Sequence, residues 1–510
     1  MADTRVKNSA RNMMFGFVYQ IVVLVLSFVS RSVFINTLGK EFLGMNAIFS
    51  DVLSLLSMAD LGFGTAMAFS FYKPLAENDH EQIAKTINFY KKIYNVIALV
   101  VLGLGLACVP FLKYIINTDK DIPNLEIYYL FSLAGVVMSY LLVYKTTLLT
   151  ADQKDYKVVN IRMWTQVLKT VLQIVALLLT KNYILYLAIG VVVQLINNIV
   201  ASRVTDREYP YIKDKQYTGK VSKEFSSNMF HNIFGVFIYK VSNTLYSATD
   251  NIIMSIVAGT VLTGLYSNYY MVSCKLLLVE QIVFSALTAS VGNIVAKESA
   301  EKKYGIFKSM QSASFIFCGI ITSGFCIMIN DLIGIWLGAE FVFDNVTVIA
   351  ITINTYFSCV LTPLWIYRDA TGLYRRTKYV MLIGAILNII LSFILGKIMG
   401  IAGVIFASAI ARISTYFWYE PRVLFQEYFD RKPGEYYISM GINCGLVACT
   451  IAVLSYLTKG IVVDSVFIFV VKAVIVGIAC CVVFILAYCR TDGFRMITDK
   501  AKAIIKKRRA

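Results

Sequence analysis

Leu38-Gly39-Lys40-Glu41-Phe42-Leu43-Gly44 and Ala258-Gly259-Thr260-Val261-Leu262-Thr263-Gly264 share one pattern, Gly-x-x-x-x-Gly, at an offset of 220 residues. Each copy lies where one long apolar stretch ends and the next begins. A tight turn between two helices calls for backbone conformations or close approaches that a Cβ would obstruct, which is the role glycine fills. The same offset sets Asp60 against Glu280 and brings Arg31 beside Asp250 and Asn251. Glycines and an acid recurring together at matching depth indicate an internal duplication.

The composition says what kind of chain is duplicated. Of 510 residues, 58% are hydrophobic and only 15% charged, where a soluble domain carries about 25% charged residues. Mean hydropathy is +0.68. Several globular surfaces cannot be coated with so little charge. The net charge is nevertheless +17, and in a mostly apolar chain such an excess points to Lys and Arg on the cytoplasmic side of a membrane, with no nucleic-acid partner. Seven prolines exclude Pro-rich linkers, and two histidines exclude most histidine-based metal chemistry. The ten cysteines lie almost all in apolar runs with no CxxC spacing, and are read as packing residues.

Apolar stretches near the 20 residues needed to cross about 30 Å of hydrocarbon recur from end to end. About fourteen are expected, all helical, since alternating strand patterning is absent. Counting charges on alternate connections gives one strongly basic side, including Lys213, Lys215, Lys302, Lys303, Arg431 and the tail Lys506-Lys507-Arg508-Arg509. The other side holds little more than Lys40, Lys120 and Lys459 among several acids. The asymmetry places both termini in the cytoplasm, and the opening segment reads as a retained tail. The outer connections are too short for a soluble catalytic domain, so no enzyme activity is expected.

The repeat then divides the chain into a first six-helix lobe at 1–205, a cytoplasmic linker at 206–226 and a second six-helix lobe at 227–420. Two further helices follow at 421–489, and a basic tail at 490–510. Six is even, so the halves share an orientation and are related by an axis along the membrane normal, as in transporters that hold substrate between their halves.

Ionisable residues inside spans cost about 2.5–3.5 kcal/mol each on insertion scales and are functional candidates by default. Arg31, Lys240 and Lys275 come from three different helices, and Lys240, Asn243, Ser247 and Asp250 form one stripe at helical period. Asn268 shares a face with Lys275. Together they suggest a polar cavity with a positive lining that accepts an anionic group. Asp51 lies near the midplane. It is nine residues from Asp60, so the two point to opposite faces of a straight helix. Asp60 and Glu280 lie toward the cytoplasmic ends, where gates, ion pairs and ligand contacts are all open readings. Lys169 falls mid-span and reads as an interhelical pair. Arg162, Arg203, Arg368 and Arg412, at span ends, are expected to reach the headgroups.

At these residues the chain resembles the polysaccharide transporters of the multidrug/oligosaccharidyl-lipid/polysaccharide (MOP) exporter superfamily. The resemblance rests on Arg31-Ser32-Val33-Phe34-Ile35-Asn36-Thr37-Leu38-Gly39 with Phe42-Leu43-Gly44, and on Met58-Ala59-Asp60-Leu61-Gly62-Phe63-Gly64. It continues in Thr249-Asp250-Asn251, Thr263-Gly264-Leu265-Tyr266 and Gly400-Ile401-Ala402-Gly403. It implies two V-shaped lobes alternating between inward and outward openings in a bacterial cytoplasmic membrane. The implied substrate is an undecaprenyl-diphosphate-linked oligosaccharide for capsule, O-antigen, exopolysaccharide or teichoic-type polymer, with glycosyltransferases and a polymerase as partners. Arg31, Lys240 and Lys275 would hold the diphosphate, and Asp51, Asp250, Asp60 and Glu280 are the candidates for coupling or gating. No cofactor is implied beyond H+ or Na+ as coupling ion, and no metal. The alternatives are a lipid II flippase, a drug/cation exporter of the same superfamily, or a membrane-embedded polymerase or ligase.

Overall fold

Helices with apolar faces exposed at helical period organise the chain. A computed structural model describes residues 2–60, 63–118, 122–214, 217, 221–496 and 498. Among them there is no strand. Two compact units meet in sequence between Gly264 and Leu265.

The first unit contains α1 (Ala2–Leu38), α2 (Lys40–Leu56), α3 (Phe63–Glu77), α4 (His80–Cys108), α5 (Leu112–Ile115), α6 (Leu125–Tyr140), α7 (Val143–Ala151), α8 (Asp155–Thr180), α9 (Tyr183–Glu208) and α10 (Lys223–Ala258). In the second unit are α11 (Thr260–Lys297), whose first turn belongs to the first unit, α12 (Ala300–Leu337), α13 (Asn345–Val360), α14 (Thr362–Thr371) and α15 (Tyr374–Met399). It continues through α16 (Ile401–Ser414), α17 (Tyr416–Tyr428), α18 (Gly434–Thr458) and α19 (Val466–Tyr488). In sequence α10 opens the second repeat, yet it packs against α2 in the first unit.

Nine helical segments among the described residues are long and apolar enough to cross a membrane, or up to eleven if the bent pairs α6–α7 and α13–α14 each count as one. The three other stretches expected to span hold α2 with α3, α10 and α11. On α15, Ile383, Ile386, Ile390, Ile394 and Ile398 are all at least half exposed along one stripe. On α8 a similar stripe is formed by Trp164, Leu168, Val171 and Val175 at 43–63% exposure. Contiguous apolar faces of this kind suit hydrocarbon and not water. The protein is therefore a multi-pass membrane protein.

Helix starts follow from local chemistry. Asp79, Asn182 and Asp344 accept first-turn amide hydrogens of α4, α9 and α13, each satisfying donors that a helix start leaves open. Asp344, in the connection just before α13, is held below the usual carboxylate range by the Thr347 hydroxyl (2.6 Å) and by the Val346 and Thr347 amides.

Two expectations are revised. The stretch 42–72 is not one straight helix: α2 ends at Leu56, a 3-10 turn covers Ser57–Asp60, and α3 starts at Phe63. The opposite-face argument for Asp51 and Asp60 therefore does not apply. Arg368 and Arg412 are not at headgroups but buried, at 6% and 8% exposure. The Arg368 guanidinium donates to Glu420 at 3.1 Å, tying α14 to α17. A guanidinium already enclosed by neighbouring helices gains more from a buried carboxylate than from a distant headgroup.

Candidate functional site

The site is built downward from the outer turns of the first unit. Gly39 and Gly259 both adopt positive φ, 90° and 96°, in the region that disfavours side chains. Five residues on, Gly44 and Gly264 make a close backbone contact: a Cβ on Gly44 would stand 1.9 Å from the Thr260 carbonyl oxygen. The Thr260 amide donates to the Asn117 carbonyl at 2.7 Å, and Ser255 donates to the Ile115 carbonyl at 2.7 Å. These contacts pin the end of α10 against the start of α2.

With that end pinned, α2 and α10 run together and bring Asp51 to Asn251. Asn251 Nδ2 donates to Asp51 Oδ2 at 2.5 Å. Asp250 lies within Coulombic reach of Asp51. Arg31 is eight residues before Gly39, Asn251 eight before Gly259, and Asp51 seven after Gly44, so all three lie about 10–12 Å along their helices from the outer glycines. Arg31 is half-buried on α1, with Tyr186 of α9 in electrostatic contact. Lys240 is half-buried and Asn243 exposed on α10. The Ser247 side chain lies outside the described residues, as does that of Asp60. On α2, Asn46 accepts a hydrogen bond from the Tyr183 hydroxyl at 3.1 Å.

The second unit carries the rest. Lys275 is half-buried on α11. Asn268 is fully buried, and neither amide atom has a hydrogen-bond partner. An orphaned buried amide of this kind costs about 1–3 kcal/mol per unsatisfied group and asks for an explanation such as an ion, a water or a second conformation. Glu280 is 1% exposed. The Ser314 hydroxyl donates to its Oε1 at 3.3 Å, its Oε2 has no partner, and no ion pair forms with it among the described residues. Such a carboxyl is chemically suited to carrying a proton, because ionising it without a counter-charge is expensive. Among the described residues no group of three or more His, Cys, Asp or Glu could hold a metal.

Each unit thus carries cations and carboxyls of its own: Arg31, Lys240, Asp51 and Asp250 in the first, Lys275 and Glu280 in the second. Sequence reasoning missed two features. One is the pair Lys472–Asp331, at 2.7 Å between α19 and α12. The other is a polar cavity on α8 and α9 that includes Lys169 and Arg162. The signal for the second was present as Arg162, Gln166, Lys169 and Gln173 at helical spacing.

Residues 9–292, more than half of the chain, match the family described as polysaccharide biosynthesis protein. No curated protein matches the chain in sequence. In structure the chain is similar to the lipid II flippase MurJ in an inward closed conformation, with TM-score 0.65 and 16% identity over 94% of this chain and 98% of that one. It is also similar to an inward-facing multidrug resistance MATE family transporter of the MOP superfamily, with TM-score 0.58 and 13% identity over 80% and 97% of the two chains. At these identities the likenesses concern the fold. The chain belongs to the family described as polysaccharide biosynthesis protein, and its fold is that of the MurJ and MATE transporters.

Proposed function

We propose that the protein is a flippase that moves an undecaprenyl-diphosphate-linked oligosaccharide repeat unit from the inner to the outer leaflet of a bacterial cytoplasmic membrane. Movement is by ion-coupled alternating access, with both termini cytoplasmic. The observation that carries the reading is the family match across residues 9–292 on a chain with a flippase-like fold. The physical need is plain: a headgroup of sugars and diphosphate cannot enter hydrocarbon without replacement of its hydrogen bonds. Arg31, Lys240 and Lys275 are the residues assigned to the diphosphate, where charge-assisted hydrogen bonds are strongest. Asn243, Ser247 and Asn268 complete the polar lining. Asp51, Asp250, Asp60 and Glu280 are assigned to H+ or Na+ coupling or gating. Glycosyltransferases supply the substrate on the cytoplasmic side and a polymerase consumes it outside.

The likeness to MurJ supports a second reading, transport of lipid II. Depletion in the native host separates the two. The first reading expects lipid-linked repeat units to accumulate on the inner leaflet while cell-wall synthesis continues. Accumulation of lipid II with lysis would replace it with the second. If neither lipid accumulates, both fail.

A further inference from the structure

The polar cavity of the first unit has a chemistry of its own. It measures about 300 Å³ and is lined by Tyr19 of α1, the α6–α7 break, and the facing sides of α8 and α9. One face of α8 is the exposed apolar stripe; another, at Arg162, Gln166 and Lys169, faces the cavity. Lys169 stands fourteen residues into α8, about 21 Å from its start and so at hydrocarbon depth.

The lining includes two cations and no carboxylate. The nearest acids along the chain are already engaged, Asp155 by the Thr150 hydroxyl at 2.8 Å. Asp206 pairs with Lys145 and Lys213, Asp152 with Lys154, and Glu208 with Lys154 and Lys157. The two asparagine acceptors of the cavity are engaged too. Asn198 Oδ1 accepts from Gln194 at 3.1 Å and from Asn197 at 3.3 Å, and Asn197 Oδ1 accepts from the Thr165 hydroxyl at 3.0 Å. Among the described residues neither the Arg162 guanidinium nor the Lys169 ammonium has an ion pair or a hydrogen bond. What the cavity lacks is a negative charge to balance its two cations, so a further cation is disfavoured there. A third contribution has the same sign: α7 begins at Val143 in the cavity wall, which sets the positive end of its dipole there.

We propose that this cavity binds a phosphate-class oxyanion, held by Lys169 and Arg162. At about 30 Å³ per water, the space equals roughly ten waters. That is far more than a halide fills, and enough for an anion with several oxygens that meets both cations. Tyr19 and Arg31 are twelve residues apart on α1, about 18 Å along the axis, so the site is separate from the level of Arg31 and Asp51. The proposal does not depend on which lipid the protein transports. The oxyanion comes either from solution, as inorganic phosphate or diphosphate, or from the headgroup of an anionic lipid.

The test measures binding of inorganic diphosphate to the full-length protein in nanodiscs of zwitterionic lipid. The expected result is saturable binding that weakens by about tenfold or more in Lys169→Met and Arg162→Gln, the scale of one lost charge-assisted contact. Lys169→Arg, which keeps the charge, retains it, and Arg31→Gln leaves this component in place. Thermal melting of the same samples checks folding: Lys169→Met is expected to melt no lower than wild type without anion, and to gain less from diphosphate than wild type does. Repeating the titration in nanodiscs rich in phosphatidylglycerol identifies the source. Competition assigns the site to lipid headgroups, and unchanged binding assigns it to the free ion. Wild type and Lys169→Met/Arg162→Gln binding diphosphate equally, or neither binding it in both lipids with no change in melting, would overturn the proposal.

Discussion

Gly44 and Gly264, the second glycines of the two repeats, back directly onto each other. A Cβ on Gly264 would stand 2.7 Å from the Gly44 nitrogen and 3.0 Å from its Cα. The duplicated motif therefore makes its own contact, and that contact sets the depth at which α2 meets α10. Without a hydrophobic drive between helices in lipid, small residues that permit backbone approach are what hold such a seam.

Gly44→Ala and Gly264→Ala are each expected to destabilise the protein by about 1–3 kcal/mol through overpacking against backbone. Gly441→Ala in α18 meets nothing within 4 Å and should be neutral or slightly stabilising, since it relieves the cost of glycine in a helix. Melting temperatures of the three in detergent check this; equal values would remove the seam from the account.

Asp51→Asn keeps the shape that Asn251 meets while removing the charge. Folding is expected to survive and transport to fall by roughly tenfold, the scale of one lost charge-assisted contact at about 1.4 kcal/mol. Transport assayed in proteoliposomes beside melting temperature separates the two. Wild-type transport would free Asp51 from any coupling role.

The Lys472–Asp331 pair makes a prediction with an internal control. Lys472→Met leaves a partly buried carboxylate alone between α12 and α19 and should cost about 3 kcal/mol. Adding Asp331→Leu should recover most of that, because the pair removed together leaves no uncompensated charge. A double variant no better than the single would show that the pair is not the link.

Asp344 gives a pH signature. Its folded carboxyl titrates below its ordinary value of 3.8, so its contribution is fully present above that value and fades as pH falls through the lower folded one. Asp344→Ala is expected to cost about 1 kcal/mol at neutral pH, with the difference from wild type narrowing as pH falls below the ordinary value of 3.8. A difference independent of pH would mean that the carboxylate is not the cap.

Much of this was legible in the chain. Length of apolar runs and overall composition specify helices and membrane, because these depend on local propensity and on transfer between water and lipid. The positive φ at Gly39 and Gly259 falls where the repeat placed a turn. The break between α6 and α7 was not legible. No glycine or proline marks it, and Leu142 adopts a φ of 70°. It is held from a distance: Asn198 on α9 donates to the Met138 and Leu141 carbonyls at 2.6 and 2.8 Å, satisfying acceptors that a broken helix exposes.

The sequence by itself determined which residues are charged inside spans, and so which demand partners. Only the tertiary structure decided who those partners are. It joined Asp51 to Asn251, Arg368 to Glu420 and Lys472 to Asp331, and it left Lys169 and Arg162 around a cavity with no acid. The physical reason is that a helix's own periodicity fixes the face a side chain occupies. The helix that lies opposite is chosen by packing, which no local pattern encodes.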